Sequence, residues 1–305
     1  MFVKWAESYP ETAELHRWEQ FGGREALGLT LSAAPDPLER PFRLLVAAPF
    51  AHAPAPTAAM VDAASQLLTR RHLDQSISLI PKDMVLSRSL ITLLPDMNPQ
   101  GRQRSPESCW DGSAYDNDAF RKWAWGIDEN GDLFGRSPEW KASERSPQRI
   151  GIVYEQVEED LYVEPAVSRR STFSRALDEL MARYRYTHML EMRQWECCEA
   201  VQLFPRPSDE EAALDWASRL VDAWERVGLH PRREPIPHVD QARRRLLDSF
   251  WENRGEGMTR VACYIQNNRH ADTDEPARMS AQFRGAHAAL EASLRIAFAG
   301  CRKIG

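Results

Sequence analysis

The sequence predicts an α/β fold, with a largely parallel sheet covered by helices on both faces. Three observations lead there. Strand-length apolar runs alternate with longer segments of helical periodicity, the order that builds strand–helix–strand units. Runs such as Phe42 to Ala48 and Leu90 to Leu94 have the apolar character of buried strands. With 305 residues, 43% of them hydrophobic and 9% aromatic, the chain can bury a large core, which excludes global disorder. No internal repeat or low-complexity linker divides it, so residues 1–305 are expected to form a single domain.

In chain order, Thr12 to Phe21 is expected to be a helix, with Thr12 as N-cap and Gly22-Gly23 as its stop. Ala26 to Ala33 and Phe42 to Ala48 follow as strands, separated by the turn Ala34-Pro35-Asp36-Pro37. Ala58 to Arg70 places Met60, Val61, Ala64, Leu67 and Leu68 on one helical face. Leu90 to Leu94 is a strand that delivers Asp96-Met97-Asn98-Pro99 to its C-terminal end. Gly101 to about Gln148 is long and irregular, yet its tryptophans (110, 123, 125 and 140) argue for an ordered wall beside a cleft. Beyond it come a helix from Ser171 to Tyr184, a strand from Met189 to Met192, and helices from Asp209 to Val227 and Val239 to Phe250. A last strand, Val261 to Gln266, precedes a closing helix from Met279 to Ala297.

Charge and cysteine content narrow the function classes. A net charge of -6 gives no overall attraction to nucleic acid or to an anionic membrane, and neither is expected as a partner. Arg243-Arg244-Arg245 falls in a helical pattern and reads as a solvated face. No run has the apolar length of a membrane span, and the start, Met1 to Glu7, turns polar too soon for a signal-peptide core. Five cysteines without a C-x-x-C pair imply reduced thiols and a cytoplasmic location.

Four segments carry a family likeness. They are Pro49-Phe50-Ala51-His52-Ala53-Pro54-Ala55-Pro56-Thr57, the run Asn98-Pro99-Gln100-Gly101-Arg102, the block from Tyr184 to Pro205, and Gln266-Asn267-Asn268. Together they resemble the bacterial M14 zinc carboxypeptidases, in particular a short single-domain subgroup. The resemblance spans about residue 40 to the C-terminus. It implies one carboxypeptidase-like domain around a mixed sheet of about eight strands, with the cleft at the carboxyl ends of the strands.

The same resemblance implies a site whose chemistry has been replaced. A zinc hydrolase needs three protein ligands, an open position for water and a base. The family's first His and Glu ligands fall on Phe50 and Ala53, and its later His falls on Arg193, whose guanidinium repels a cation. The catalytic Glu falls on Tyr264, a poor base at neutral pH. His188 lies five residues before Arg193, on the wrong side of the strand to substitute for that ligand. No metal and no cofactor are therefore expected.

What the resemblance retains is the substrate-holding side. Asn98, Arg102, Arg104 and Arg193 are candidates for gripping a carboxylate, each guanidinium by a two-pronged contact; Arg102 and Arg104 could equally pair with local acids. The expected function is a pseudoenzyme that binds a small anionic ligand, an amino acid or a peptide, with a protein partner as a further option. The alternative is metal-independent chemistry in the same cleft, with Tyr264, Arg193 and His52 as catalytic candidates. A third reading is a zinc peptidase with unusual ligands such as His52 and Cys197.

Overall fold

The computed structural model describes residues 1–33, 37–204, 210–236 and 241–299. A short helix α1 (Phe2–Ser8) precedes the hairpin β1 (Ala13–Glu19) and β2 (Glu25–Leu31). Next come β3 (Phe42–Ala47), α2 (Pro54–Thr69), α3 (Lys82–Arg88), β4 (Ser89–Asp96) and α4 (Pro99–Arg104). A region of short elements follows: α5 (Asn117–Trp125), β5 (Gly126–Ile127), β6 (Glu139–Lys141), α6 (Ala142–Arg145), β7 (Arg149–Ile150), β8 (Glu155–Gln156) and β9 (Leu161–Val163). The chain then runs through α7 (Thr172–Tyr184), β10 (His188–Trp195), β11 (Ala200–Leu203), α8 (Glu210–Arg226), α9 (Gln241–Trp251), β12 (Thr259–Gln266) and α10 (Met279–Ala299).

Seven strands form the main sheet in the order β1-β2-β4-β3-β10-β12-β11. Its centre, β4-β3-β10-β12, is parallel, and antiparallel strands close both edges. This is the mixed α/β fold expected from the sequence, with seven strands in the sheet rather than eight. The central strands are buried on both faces, which is why they read as continuous apolar runs. On one face, α2, α8 and α10 cover Leu44, Val46, Leu190, Val261 and Ile265. On the other, Phe173, Leu177 and Leu180 of α7 and Phe250 and Trp251 of α9 cover Leu45, Ala47, Leu90 and Leu94.

The region from Thr12 to Phe21 corrects the expected helix. It is β1, paired antiparallel with β2 from Ala13–Leu31 to Glu19–Glu25. Its apolar residues Leu15 and Trp18 are three apart, which imitates helical spacing, but burial along the strand falls on Ala13, His16 and Trp18. Gly22 and Gly23 both have positive φ and form the hairpin turn, not a helix stop. Parts of four expected features, residues 34–36 of the first turn, Pro205, Asp209 and Val239, lie outside the described residues.

The sheet's geometry locates a crevice. From β3 the chain crosses through α2 to β4 on one side, whereas β10 lies on the other side of β3. Ligands of open α/β sheets bind at the carboxyl ends of strands where the connections diverge in this way. Here that point lies between the end of β3, followed by Phe50, and the end of β10, which carries Arg193. A third core of Phe50, Trp110, Phe120, Phe134, Trp140, Ile152 and Tyr154 builds the flanking wall.

Candidate functional site

At this edge lies a cleft of about 730 Å³. Phe50, His52, Arg193, Gln194 and Tyr264 form its floor, and residues of the wall from Phe120 to Pro138 line one side. Glu164, Gln202, Arg232 and the α9 residues Arg243, Leu246 and Leu247 complete it. Five arginines line the cleft (121, 136, 193, 232 and 243) against two glutamates (164 and 196), so it is a basic pocket in an acidic protein.

Strand periodicity assembles the floor. Side chains at i and i+2 share a face, and in a parallel pair registered residues stand side by side. Glu191 and Arg193 are two apart on β10, and Arg193 is in register with Tyr264 of β12. Accordingly Arg193 Nε donates to Glu191 Oε1 at 2.6 Å and Nη1 to the Tyr264 hydroxyl at 2.9 Å. Tyr264 in turn donates to Gln202 Oε1 at 3.2 Å. The guanidinium lies between two rings, 5.5 Å from the centre of Phe50 and 5.7 Å from that of Tyr264. Its Nη2 also lies 2.5 Å from Glu191 Oε1, so two guanidinium nitrogens face the same carboxylate oxygen. Burial alone would lower the Arg193 pKa; Glu191 and Tyr264 overcome it and raise the value, keeping the group a cation.

A second cationic cluster faces the first. Glu164 is fully buried and accepts from Arg243 Nη1 at 2.6 Å, from Arg243 Nη2, and from Arg136 Nη2 at 3.4 Å. Burial alone would raise its carboxyl, but the charges of Arg243 and Arg136 and the Arg243 hydrogen bonds hold it below the usual carboxylate range. Arg136 also stacks 4.3 Å from the centre of the Trp125 ring. Arg243 is therefore not part of a solvated helix face, as its sequence run suggested. Its neighbours Arg244 and Arg245 are exposed as expected, with Arg244 3.7 Å from Asp248.

The expected site residues divide into two groups. Phe50, His52, Arg193 and Tyr264 meet in the cleft; Ala53, Asn98, Arg102 and Arg104 do not line it. Ala53 is fully buried as the N-cap of α2, just before Pro54 in the first turn. Asn98 caps α4, accepting from Gly101 N at 3.0 Å, while its Nδ2 donates to the carbonyls of Ile152, Val153 and Tyr154. Arg102 binds Asp96 and the Thr57 hydroxyl, and Arg104 donates to the carbonyls of Gly151 and Tyr154. The Asn-Pro-Gln-Gly-Arg run thus fastens the wall to the sheet. Gly101 belongs to the same fastening, since a Cβ there would sit 2.0 Å from the Ile152 carbonyl oxygen.

His52 keeps its ring half-buried, with Nδ1 enclosed and without a hydrogen-bond partner. Burial, followed by the charge of Arg102, pushes its pKa down to about 4, so it is neutral at pH 7 and a weak base. The resemblance noted in the sequence implies zinc at these positions, but the donor set does not fit it. Phe50 has no donor, Arg193 is a cation, and Glu164 is held by two arginines. Among the described residues, His, Cys, Asp and Glu gather at metal-binding distance in only two places, Asp62–His72–His287 and Cys197–His270–Asp272, and neither includes His52.

Glu191, Glu164, Arg136, Gln202 and Arg243 escaped the sequence reading as site residues. Glu191 left a signal: an acid inside the apolar run Met189-Leu190-Glu191-Met192 requires a buried partner, and Arg193 is the nearest on its face. The others come from separate loops, an edge strand and a helix, joined by no spacing.

No family model matches the sequence, and no curated protein matches it closely enough to identify a relative. Solved structures do match the fold. The carboxypeptidase A of Helicoverpa armigera is similar with a TM-score of 0.61 and 12% identity, over 99% of this chain and 72% of that one. A metallo-carboxypeptidase from Burkholderia cenocepacia gives 0.57 and 14%, over 98% and 68%. One from Pseudomonas aeruginosa, in complex with (2-guanidinoethylmercapto)succinic acid, gives 0.54 and 14%, over 96% and 68%. At these identities the likeness establishes a carboxypeptidase-like α/β fold. Among the described residues no helix is long and apolar enough to cross a membrane.

Proposed function

We propose that this chain is a carboxypeptidase-like pseudoenzyme whose cleft binds the carboxylate of an amino acid, a peptide or another small anion and does not hydrolyse it. The observation that carries this reading is Arg193. At the strand end where the family resemblance calls for a metal ligand, a guanidinium lines the cleft instead, held between Phe50 and Tyr264 and paired with Glu191. Arg136 and Arg243 share one carboxylate across the same cleft, which leaves surplus positive charge there. A confined positive centre without a metal-activated water favours anion recognition over hydrolysis. The aromatic and aliphatic lining of Phe50, Phe120, Trp125 and Leu247 supports an apolar body on the ligand.

Metal-independent catalysis is the second reading, and the unpartnered Nδ1 of His52 is what favours it. A base held near 4 takes up a proton poorly at neutral pH, and the Tyr264 hydroxyl is already engaged by Arg193 and Gln202. Binding therefore ranks first.

The test compares N-acetyl-phenylalanine with its C-terminal amide by titration calorimetry. Losing the charge-assisted contact is worth about 1.5–3 kcal/mol, so the acid is expected to bind roughly ten- to a hundredfold more tightly. Equal binding of acid and amide, or binding of neither, would count against the proposal.

A further inference from the structure

On the helical layer, away from the cleft, three potential metal ligands converge. Asp62 lies in the middle of α2, His72 in the turn after it, and His287 in α10. The ligand atoms all lie within 4.8 Å of one another. His72 Nδ1 is 2.8 Å and His287 Nε2 3.4 Å from the same oxygen, Asp62 Oδ2. None of the three lines the cleft.

We infer that Asp62, His72 and His287 form a binding site for a divalent transition ion, zinc or nickel in class. Two imidazoles and one carboxylate are the donors such ions favour, whereas magnesium prefers an all-oxygen shell. Zinc bonds of about 2.0–2.1 Å put tetrahedral ligands roughly 3.3 Å apart. The two Asp62–His separations bracket that spacing, so small side-chain rotations suffice.

The surroundings orient the ligands. The Leu73 amide holds Asp62 Oδ1 at 2.8 Å, which turns Oδ2 toward the two imidazoles. Gln66 Nε2 donates to Oδ2 at 2.7 Å, and its own Oε1 is fixed by the Ser78 hydroxyl at 2.6 Å. The same amide is 2.9 Å from His287 Nε2, and this contact has to open for that nitrogen to take an ion. The imidazoles are about a quarter exposed, at 26% and 22%, so the ion has a path in and a face open to water. Occupied, the site would tie α2 and the turn at residues 71–77 to α10. Residues this far apart in the chain make no spacing motif, so the sequence alone does not point to this cluster.

The competing account is a hydrogen-bonded brace that needs no ion, and the two differ in a direct measurement. Zinc chloride is titrated into the apo-protein against a chromophoric chelator, with magnesium chloride as a control, and repeated on His72→Gln and His287→Gln. Glutamine at these partly exposed positions preserves hydrogen bonding, and a circular dichroism melt verifies folding. One zinc per chain is expected, with magnesium at least a hundredfold weaker. Each variant should lose zinc affinity by more than the roughly 10–100-fold that follows loss of a supporting contact alone. Added zinc should raise the melting temperature of the parent and not of the variants. Failure of the parent to bind zinc, or unchanged binding in both variants, would overturn the inference.

Discussion

Breaking the Arg193–Glu191 pair tests whether the cleft floor is a buried ion pair held in place by the strands. The side chains are 6% and 1% exposed, so Glu191→Met leaves a guanidinium with no anion and little water. Removing one partner of such a pair costs about 3–5 kcal/mol, whereas replacing both with apolar residues of similar volume is close to neutral. For a chain of 305 residues, unfolding entropy is about 0.6 kcal/mol/K, so that loss lowers the melting temperature by roughly 5–8 °C. Urea unfolding of Glu191→Met, Arg193→Met and the double variant forms the thermodynamic cycle. Both single variants should be destabilised and the double variant should recover most of the loss, folded yet without affinity for N-acetyl-phenylalanine. If Glu191→Met costs under about 1 kcal/mol, or the double variant shows the sum of both losses, the buried-pair description is wrong.

Three other outcomes follow from the structure. The Glu164 carboxyl is depressed by Arg243 and Arg136, so its stabilisation is complete above the ordinary carboxylate pKa of about 4.3 and is lost as pH falls through the lower folded value. Urea curves should separate Glu164→Gln from the parent at pH 7 and converge toward pH 3; a constant gap would contradict the assignment. Gly101→Ala pushes a methyl into the Ile152 carbonyl and should destabilise by about 2–3 kcal/mol in the same assay, while an unaffected variant would mean that α4 does not clamp the wall. Phe50→His, Ala53→Glu and Arg193→His, made together on a His72→Gln/His287→Gln background, should add weak zinc binding without hydrolysis. Ala53 is fully buried outside the cleft lining and cannot present its ligand freely; recovery of strong peptidase activity would refute that geometry.

Much of the frame was legible because double-sided burial writes itself into sequence. β3, β4, β10 and β12 show as apolar runs, and α2, α7, α8 and α10 as amphipathic or apolar segments of helical length. Strand β1 was misread because Leu15 and Trp18 stand three apart and because a double glycine can end a helix or turn a hairpin, whereas its partner β2 was legible as a strand. Edge strand β11 was missed: four residues after a cysteine pair carry too little periodicity. At the site, residues at strand ends such as Arg193 and Tyr264 could be located. Arg102 and Arg104 could not be resolved into cleft or scaffold, since their partners are a carboxylate, a hydroxyl and backbone carbonyls whose positions only the fold determines. Glu164, Arg136 and Arg243 come from separate parts of the chain and meet only through tertiary packing.

The central claim, recognition of a carboxylate without hydrolysis, is tested most directly with one peptide followed in one tube. Benzoyl-glycyl-phenylalanine is incubated with the His72→Gln/His287→Gln protein and added zinc, which removes the proposed ion site as a confounding source of metal. NMR reports saturation transfer to the peptide and release of free phenylalanine together. The account predicts saturation transfer that is abolished in the Glu191→Met/Arg193→Met variant, with no phenylalanine released at any zinc concentration. Zinc-dependent release of phenylalanine would contradict it.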